Sequence, residues 1–132
     1  MKYMLDTNIC IFMLKHVPNV LAVFEKKKNK GIAISSIVLA ELEHGVYNSN
    51  AYEKNRDALI AFLPLVEVFP FGSRAANMYG QICTSLQKQG RLISPMDMLI
   101  GAHAKAEGLI LVTNNTREFS RVANLELEDW VI

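Results

Sequence analysis

An α/β domain built on a mainly parallel sheet, with helices on both faces, is what this chain predicts. Two observations carry that expectation. Lys2-Tyr3-Met4-Leu5 and Leu109-Ile110-Leu111-Val112 are short apolar runs that stop on polar residues, Asp6 and Thr113. Strands buried on both faces read as continuous apolar runs. Between them the chain alternates helix-length amphipathic segments with further short apolar runs, the pattern of parallel strands joined by crossover helices.

The elements follow in order. After Asp6, Asn8 to Leu14 reads as a short helix. Pro18 opens a second, Asn19 to about Lys28, which ends in Lys26-Lys27-Lys28-Asn29-Lys30-Gly31. Lysines there complement the helix dipole and Gly31 suits the end. Phosphate contact is a second use for the run. Ile32-Ala33-Ile34 is a buried strand, and Ser35 or Ser36 caps a helix to about Tyr47. Asn48-Ser49-Asn50 breaks it before a helix from Ala51 to Leu63, so the two form a hairpin. Leu65 to Phe69 alternates as a third strand. Gly72 to Gln89 is a long helix with Ala75, Ala76, Met78, Tyr79, Ile82 and Leu86 facing inward. Ser94-Pro95 opens a helix that is apolar nearly all round, hence buried on more than one side. After Leu109–Val112 come a short helix through Glu118 and Phe119 and a last strand near Leu125 to Leu127.

The chain has 132 residues, 51% hydrophobic and 20% charged, enough for one packed domain over residues 1–132 and unlike a disordered chain. No stretch is long and apolar enough to span a membrane, and Asp6 interrupts the N-terminal apolar run too early for a signal peptide. Cys10 and Cys83 lie in no metal-type spacing, which suggests reduced, structural thiols and a cytoplasmic protein. A formal net charge of +1 means that any polyanion site is a local patch.

Four acids stand out. Asp6 ends a core strand, and a carboxylate out of water needs a partner or a cation. Alternatively it caps the next helix. Asp97, in Ser94-Pro95-Met96-Asp97, fits a capping box, yet its helix is central, so that end faces the core or a cleft. Glu118 follows Asn115 in the same cap-like way, beyond the end of a strong strand; Asn115 caps this helix, holds water on a metal, or both. Glu41, mid-helix, borders the buried face beside Gly45, where a solvated acid is the bland reading; Glu43, beside Leu39 and Tyr47, looks more solvated. In a parallel sheet these positions converge at one edge. Carboxylates gathered there repel unless protonated or neutralised. All-oxygen donors suit Mg²⁺ or Mn²⁺, which can activate water for phosphodiester displacement. The histidines match no metal spacing, and His44 and His103 read as structural. The glycines are isolated, so there is no phosphate loop, and no Ser or Cys has a nucleophile-elbow setting.

Leu5-Asp6-Thr7-Asn8, Ser35-Ser36 leading to Glu41-Leu42-x-x-Gly45, Pro95-x-Asp97 leading to Ala102-His103-Ala104, and Leu111-Val112-Thr113-Asn114-Asn115-x-x-Glu118-Phe119 resemble the PIN-domain ribonucleases, and more narrowly the VapC toxins of type II toxin–antitoxin pairs. The resemblance runs in order along the whole chain. It implies a PIN-like single domain and a Mg²⁺- or Mn²⁺-dependent endoribonuclease inhibited by a VapB-type antitoxin. The family's acids fall on Asp6, Glu41 and Asp97. Many members have an Asp where this chain has Asn115, whereas the enteric VapC group, the more similar one, has Asn-x-x-Glu, which falls on Asn115 and Glu118. Asn8, Thr113 and Asn115 are supporting positions. That group cuts initiator tRNA in its anticodon region, and a homodimer is implied by resemblance alone. Two other functions fit the same residues: a non-catalytic acidic pocket for a basic partner segment, and a structure-specific DNA nuclease. Four intact acids disfavour the first, and the lack of an added DNA-gripping domain disfavours the second. For the RNA backbone, Arg91 and Arg117 are the expected contacts, and Arg117 has a nearby acid as an alternative partner. A partner helix is expected on the hairpin of the Ser36–Tyr47 and Ala51–Leu63 helices.

Overall fold

Tyr3, Met4 and Leu5 are all buried and form β1 (Tyr3–Leu5). β2 (Ile32–Ser35) is likewise buried throughout, and β4 (Ile110–Val112) nearly so. The computed structural model describes all residues, 1–132. With β3 (Glu67–Phe69) and β5 (Leu127–Glu128) they make one five-stranded sheet in the order β3-β2-β1-β4-β5. Every pairing is parallel. Leu5 lies opposite Ile34 on one side and Val112 on the other. The next residues, Asp6, Ser35 and Thr113, therefore emerge side by side at the carboxyl edge.

The helices are α1 (Thr7–Leu14), α2 (Pro18–Lys27), α3 (Ser36–Tyr47), α4 (Tyr52–Phe62), α5 (Ser73–Lys88), α6 (Pro95–Ala106) and α7 (Thr116–Phe119). From β1 the chain winds to β2 and β3, then crosses back to β4 and β5. Right-handed crossovers put α1–α4 on one face and α5–α7 on the other. The direction reverses between β1 and β4, and ligands of such sheets bind at that reversal. Asp6 and Thr113 stand there.

Several local expectations shift. α2 stops at Lys27, and a 3-10 turn, Lys28–Lys30, leads into Gly31 at φ 89°. A Cβ on Gly31 would lie 2.8 Å from Met1 Cα, so only glycine fits this left-handed turn. Lys27 bonds Glu128 at 2.8 Å and Lys28 pairs with Glu25, which gives half of the lysine run structural work. On α5 the buried stripe is Ala75, Ile82 and Leu86, with Met78 and Tyr79 half-buried, but Ala76 is exposed. It lies one residue, about 100° around the helix, past Ala75 and so falls outside the stripe. Glu43 is held by Arg56 at 2.8 Å and is less solvated than its position suggested. The last strand begins at Leu127, because the turn at Asn124, φ 62°, comes first and Leu125 packs over Gly101 instead. Trp130 then closes the far edge, edge-on to Tyr3 at 5.5 Å, its indole N–H donating to Glu128 at 2.9 Å. No single helix is long and apolar enough to cross a membrane.

Candidate active site

Asp6 is 5% exposed and caps α1, accepting from the Ile9 amide at 2.9 Å. The buried Thr113 hydroxyl also hydrogen-bonds its carboxylate and accepts from the Asn115 amide at 2.9 Å. Capping and a place in the acidic cluster are thus compatible. Burial, above all, raises the Asp6 pKa to about 6; the Thr113 and Ile9 bonds oppose this, and the charges of Asp97 and Glu41 add to it.

Asp97 sits in the first turn of α6. Ser94 caps that helix, accepting from the Asp97 amide at 3.2 Å. Partial burial pushes the Asp97 carboxyl upward, a bond from Ser94 pulls it back, and Glu118 and Glu41 push it up further. Glu41, half-buried on α3, accepts a short hydrogen bond from the Thr7 hydroxyl on α1. No Cβ contact lies within 4 Å of Gly45, so the space beside Glu41 is open. Glu118 on α7 accepts from the Asn115 side-chain amide at 3.4 Å. Asn115 therefore does not cap α7 with its side chain, because that side chain turns to Glu118 instead.

Four elements thus gather four acids, with Asp6 in electrostatic reach of Asp97 and Glu41, and Asp97 in reach of Glu41 and Glu118. No three of them are close enough, in this side-chain arrangement, to enclose an ion. Mg²⁺ does not need such a cage, since it keeps several waters and binds through one or two carboxylates. The neighbouring acid charges help to raise the Asp6 and Asp97 pKa values, which a divalent cation would reverse, and every nearby donor is oxygen. The residues therefore fit Mg²⁺ or Mn²⁺. Asn8 is exposed and its side chain makes no hydrogen bond. His16 and His44 are exposed, and His103 is buried on Ser35. Cys10 and Cys83 are free thiols.

The PIN domain family matches residues 3–125. The chain belongs to the PIN-domain family. Within it, the chain is 46% identical over 98% of both chains to ribonuclease VapC2 of Rickettsia felis. It is 44% identical, over 98% of both, to the tRNA(fMet)-specific endonuclease VapC of Shigella flexneri. The crystal structure of VapBC2 from Rickettsia felis bound to a DNA fragment from their promoter superposes with a TM-score of 0.94 at 44% identity, covering 98% of this chain and 99% of that one. The PIN-type sheet seen here is the one shared with these proteins.

Sequence places Thr7 in the Leu5-Asp6-Thr7-Asn8 motif but gives it no role there. The only signal was a hydroxyl directly after Asp6, where helix-start chemistry explains it equally well. Thr7→Val keeps the shape and removes the donor. The expected result is a several-fold to tenfold drop in RNA cleavage with thermal stability within about 1 kcal/mol of the parent, the usual worth of one hydrogen bond. Parent-level cleavage by Thr7→Val would leave Glu41 needing no orientation.

A second expectation concerns pH. Below about 6, Asp6 in the ion-free protein is largely protonated and a poor ligand. Mn²⁺ affinity, followed by calorimetry, should fall as pH drops through 6. In Asp6→Asn that part of the pH dependence should vanish.

Proposed function

We propose that this PIN domain is the toxin nuclease of a toxin–antitoxin pair, hydrolysing RNA phosphodiester bonds with Mg²⁺ or Mn²⁺, with tRNA as substrate. The reading rests chiefly on the four carboxylates gathered near the sheet's reversal point, where Asp6 feels the charges of Asp97 and Glu41, and Asp97 those of Glu41 and Glu118. Relatives named as ribonucleases and as a tRNA(fMet)-specific endonuclease support RNA, and initiator tRNA, as the substrate. Asp6 and Asp97 would hold the ion directly, with Glu41 and with Glu118, the latter positioned by Asn115. The bound ion would supply an activated water and offset the charge that builds on the phosphate. The chain's own part is geometric: Thr7 turns Glu41, Thr113 and Ile9 hold Asp6, and Ser94 fixes the start of the Asp97 helix. The test is cleavage of tRNA(fMet) against other RNAs and DNA; cleavage of DNA alone would overturn the assignment.

The site is negative, so the backbone must be gripped at its rim. Arg91 and Arg117 are both exposed and take part in none of the three ion pairs. Arg121 pins the Arg91 segment, donating to the Arg91 and Leu92 carbonyls at 3.4 and 3.2 Å. Each lost phosphate contact should flatten the log–log salt dependence of RNA binding by roughly 0.7. Arg91→Ala and Arg117→Ala, in an Asp6→Asn background that cannot cut, should show that change and weaker binding. Unchanged slopes in both would move the grip to Lys26 and Lys30.

An antitoxin segment has a place to lie. α1, α3 and α4 enclose a groove of about 540 Å³, with Ile11, Leu14, Leu42 and Val46 on its walls and Glu41 at its lining. An amphipathic helix of the partner suits this groove, and an arginine carried from it toward the carboxylates would pair bidentately. Solved VapBC structures among the neighbours support such a partner. A cytoplasmic homodimer completes the proposal, checked by light scattering of the free toxin.

A further inference from the structure

Ser35 stands at a junction. It ends β2, in the row of residues that holds Asp6 and Thr113, and it is the N-cap of α3, the helix that carries Glu41. Its Oγ accepts from the Ile37 amide at 3.1 Å. The hydroxyl proton then has one acceptor, Nδ1 of His103 on α6, 2.7 Å away. The tautomer that gives this proton a partner has Nδ1 accepting and Nε2 carrying the ring proton. His103 is fully buried, and its Nε2 has no hydrogen-bond partner. The Phe71 ring stands edge-on to it at 5.4 Å, and the Phe71 amide donates to Ser36 Oγ at 2.9 Å.

For stability alone this is a poor use of a core position. A buried donor without a partner is unfavourable, and an aliphatic side chain of similar volume would avoid the cost. What the imidazole does achieve is a tie between elements. α6 carries Asp97 in its first turn and His103 in its last part. The bond to Ser35 fixes that helix against the β2–α3 joint, one strand away from Asp6. Three carriers of acidic residues are thereby held at set spacings through one hydrogen bond.

We infer that His103 is a positioning residue: through Ser35 it sets the separation of Asp97, Glu41 and Asp6 without touching RNA or ion. The inference rests on the nuclease reading above. The test compares His103→Leu with His103→Asn, whose side-chain carbonyl can accept from Ser35 in place of Nδ1. Thermal stability, Mn²⁺ affinity, kcat and KM are measured for each. His103→Leu should keep or raise Tm, weaken Mn²⁺ binding several-fold, and lower kcat about tenfold with KM for RNA unchanged. His103→Asn should recover most of both losses. Parent-like kcat and Mn²⁺ affinity in His103→Leu would overturn the inference, as would equal impairment in His103→Asn. Should His103→Leu fail to fold, Ser35→Ala carries the same test, with weaker Mn²⁺ binding expected and unchanged binding overturning it. Unaltered protein that neither binds Mn²⁺ nor cuts RNA would overturn this inference together with the nuclease reading.

Discussion

RNA cleavage should stop in EDTA and return on adding Mg²⁺ or Mn²⁺. The expectation follows from the donor set. Asp6, Glu41, Asp97 and Glu118 offer only carboxylate oxygens, the three histidines stand elsewhere, and both cysteines are away from a metal spacing. None of these groups is a nucleophile suited to a phosphodiester, and none of the three ion pairs brings a lysine or arginine to the four acids to offset charge on the phosphate. Without a cation, the cluster repels the very backbone it is to cut. Loss on chelation should therefore reach the assay's floor, at least about a thousandfold, since metal charge stabilisation is worth several kcal/mol and each 1.4 kcal/mol is a factor of ten. Ca²⁺ should bind without restoring turnover. Full cleavage by metal-stripped protein in chelator would remove the mechanism.

The sheet and the acids were legible because they follow from local patterns. Apolar runs that end on Asp6 and Thr113 name two strands and the edge where they stop. Ser94-Pro95 and the apolar helix behind it place Asp97 at a buried helix start. Contacts between distant residues were not legible. Thr7 meets Glu41 across 34 positions, Ser35 meets His103 across 68, and Lys27 meets Glu128 across 101. Each depends on strand register and helix rotation, which a single residue slip would reverse. Asn115 shows the opposite failure. Its sequence context reads as a cap, yet in the fold Glu118 competes for the same side chain and takes it. Ala76 failed for a simpler reason: a small apolar residue is compatible with either side of a helix, so it carries little directional information.

Asp6→Asn and Asp97→Asn should abolish cleavage and yet leave the ion-free protein as stable as the parent, or more so. Either change keeps the side chain's shape and removes one charge that would face the ion. A loss of three or more orders of magnitude in kcat/KM is expected, with the fold intact by circular dichroism. Stability should move the other way. Asp6 is ionised at neutral pH although burial holds its pKa at about 6, against 3.8 for an ordinary aspartate. Because the folded value is the higher one, folding favours the protonated form. Stability from this group is fully present below about 3.8 and is lost as pH rises through 6. At pH 7 the ionised carboxylate therefore costs up to about 3 kcal/mol, and an amide that still accepts from Ile9 avoids most of that. Asp6→Asn should raise Tm in EDTA by roughly 4–10 °C at pH 7 and by much less at pH 4. Asp97 is less buried and shifted in the same direction, so its variant should gain less. An Asp97→Asn protein that unfolds would show the acid serving the helix start alone. An Asp6→Asn protein that loses stability at pH 7 would show that its carboxylate is held by bonds stronger than the burial and repulsion opposing it.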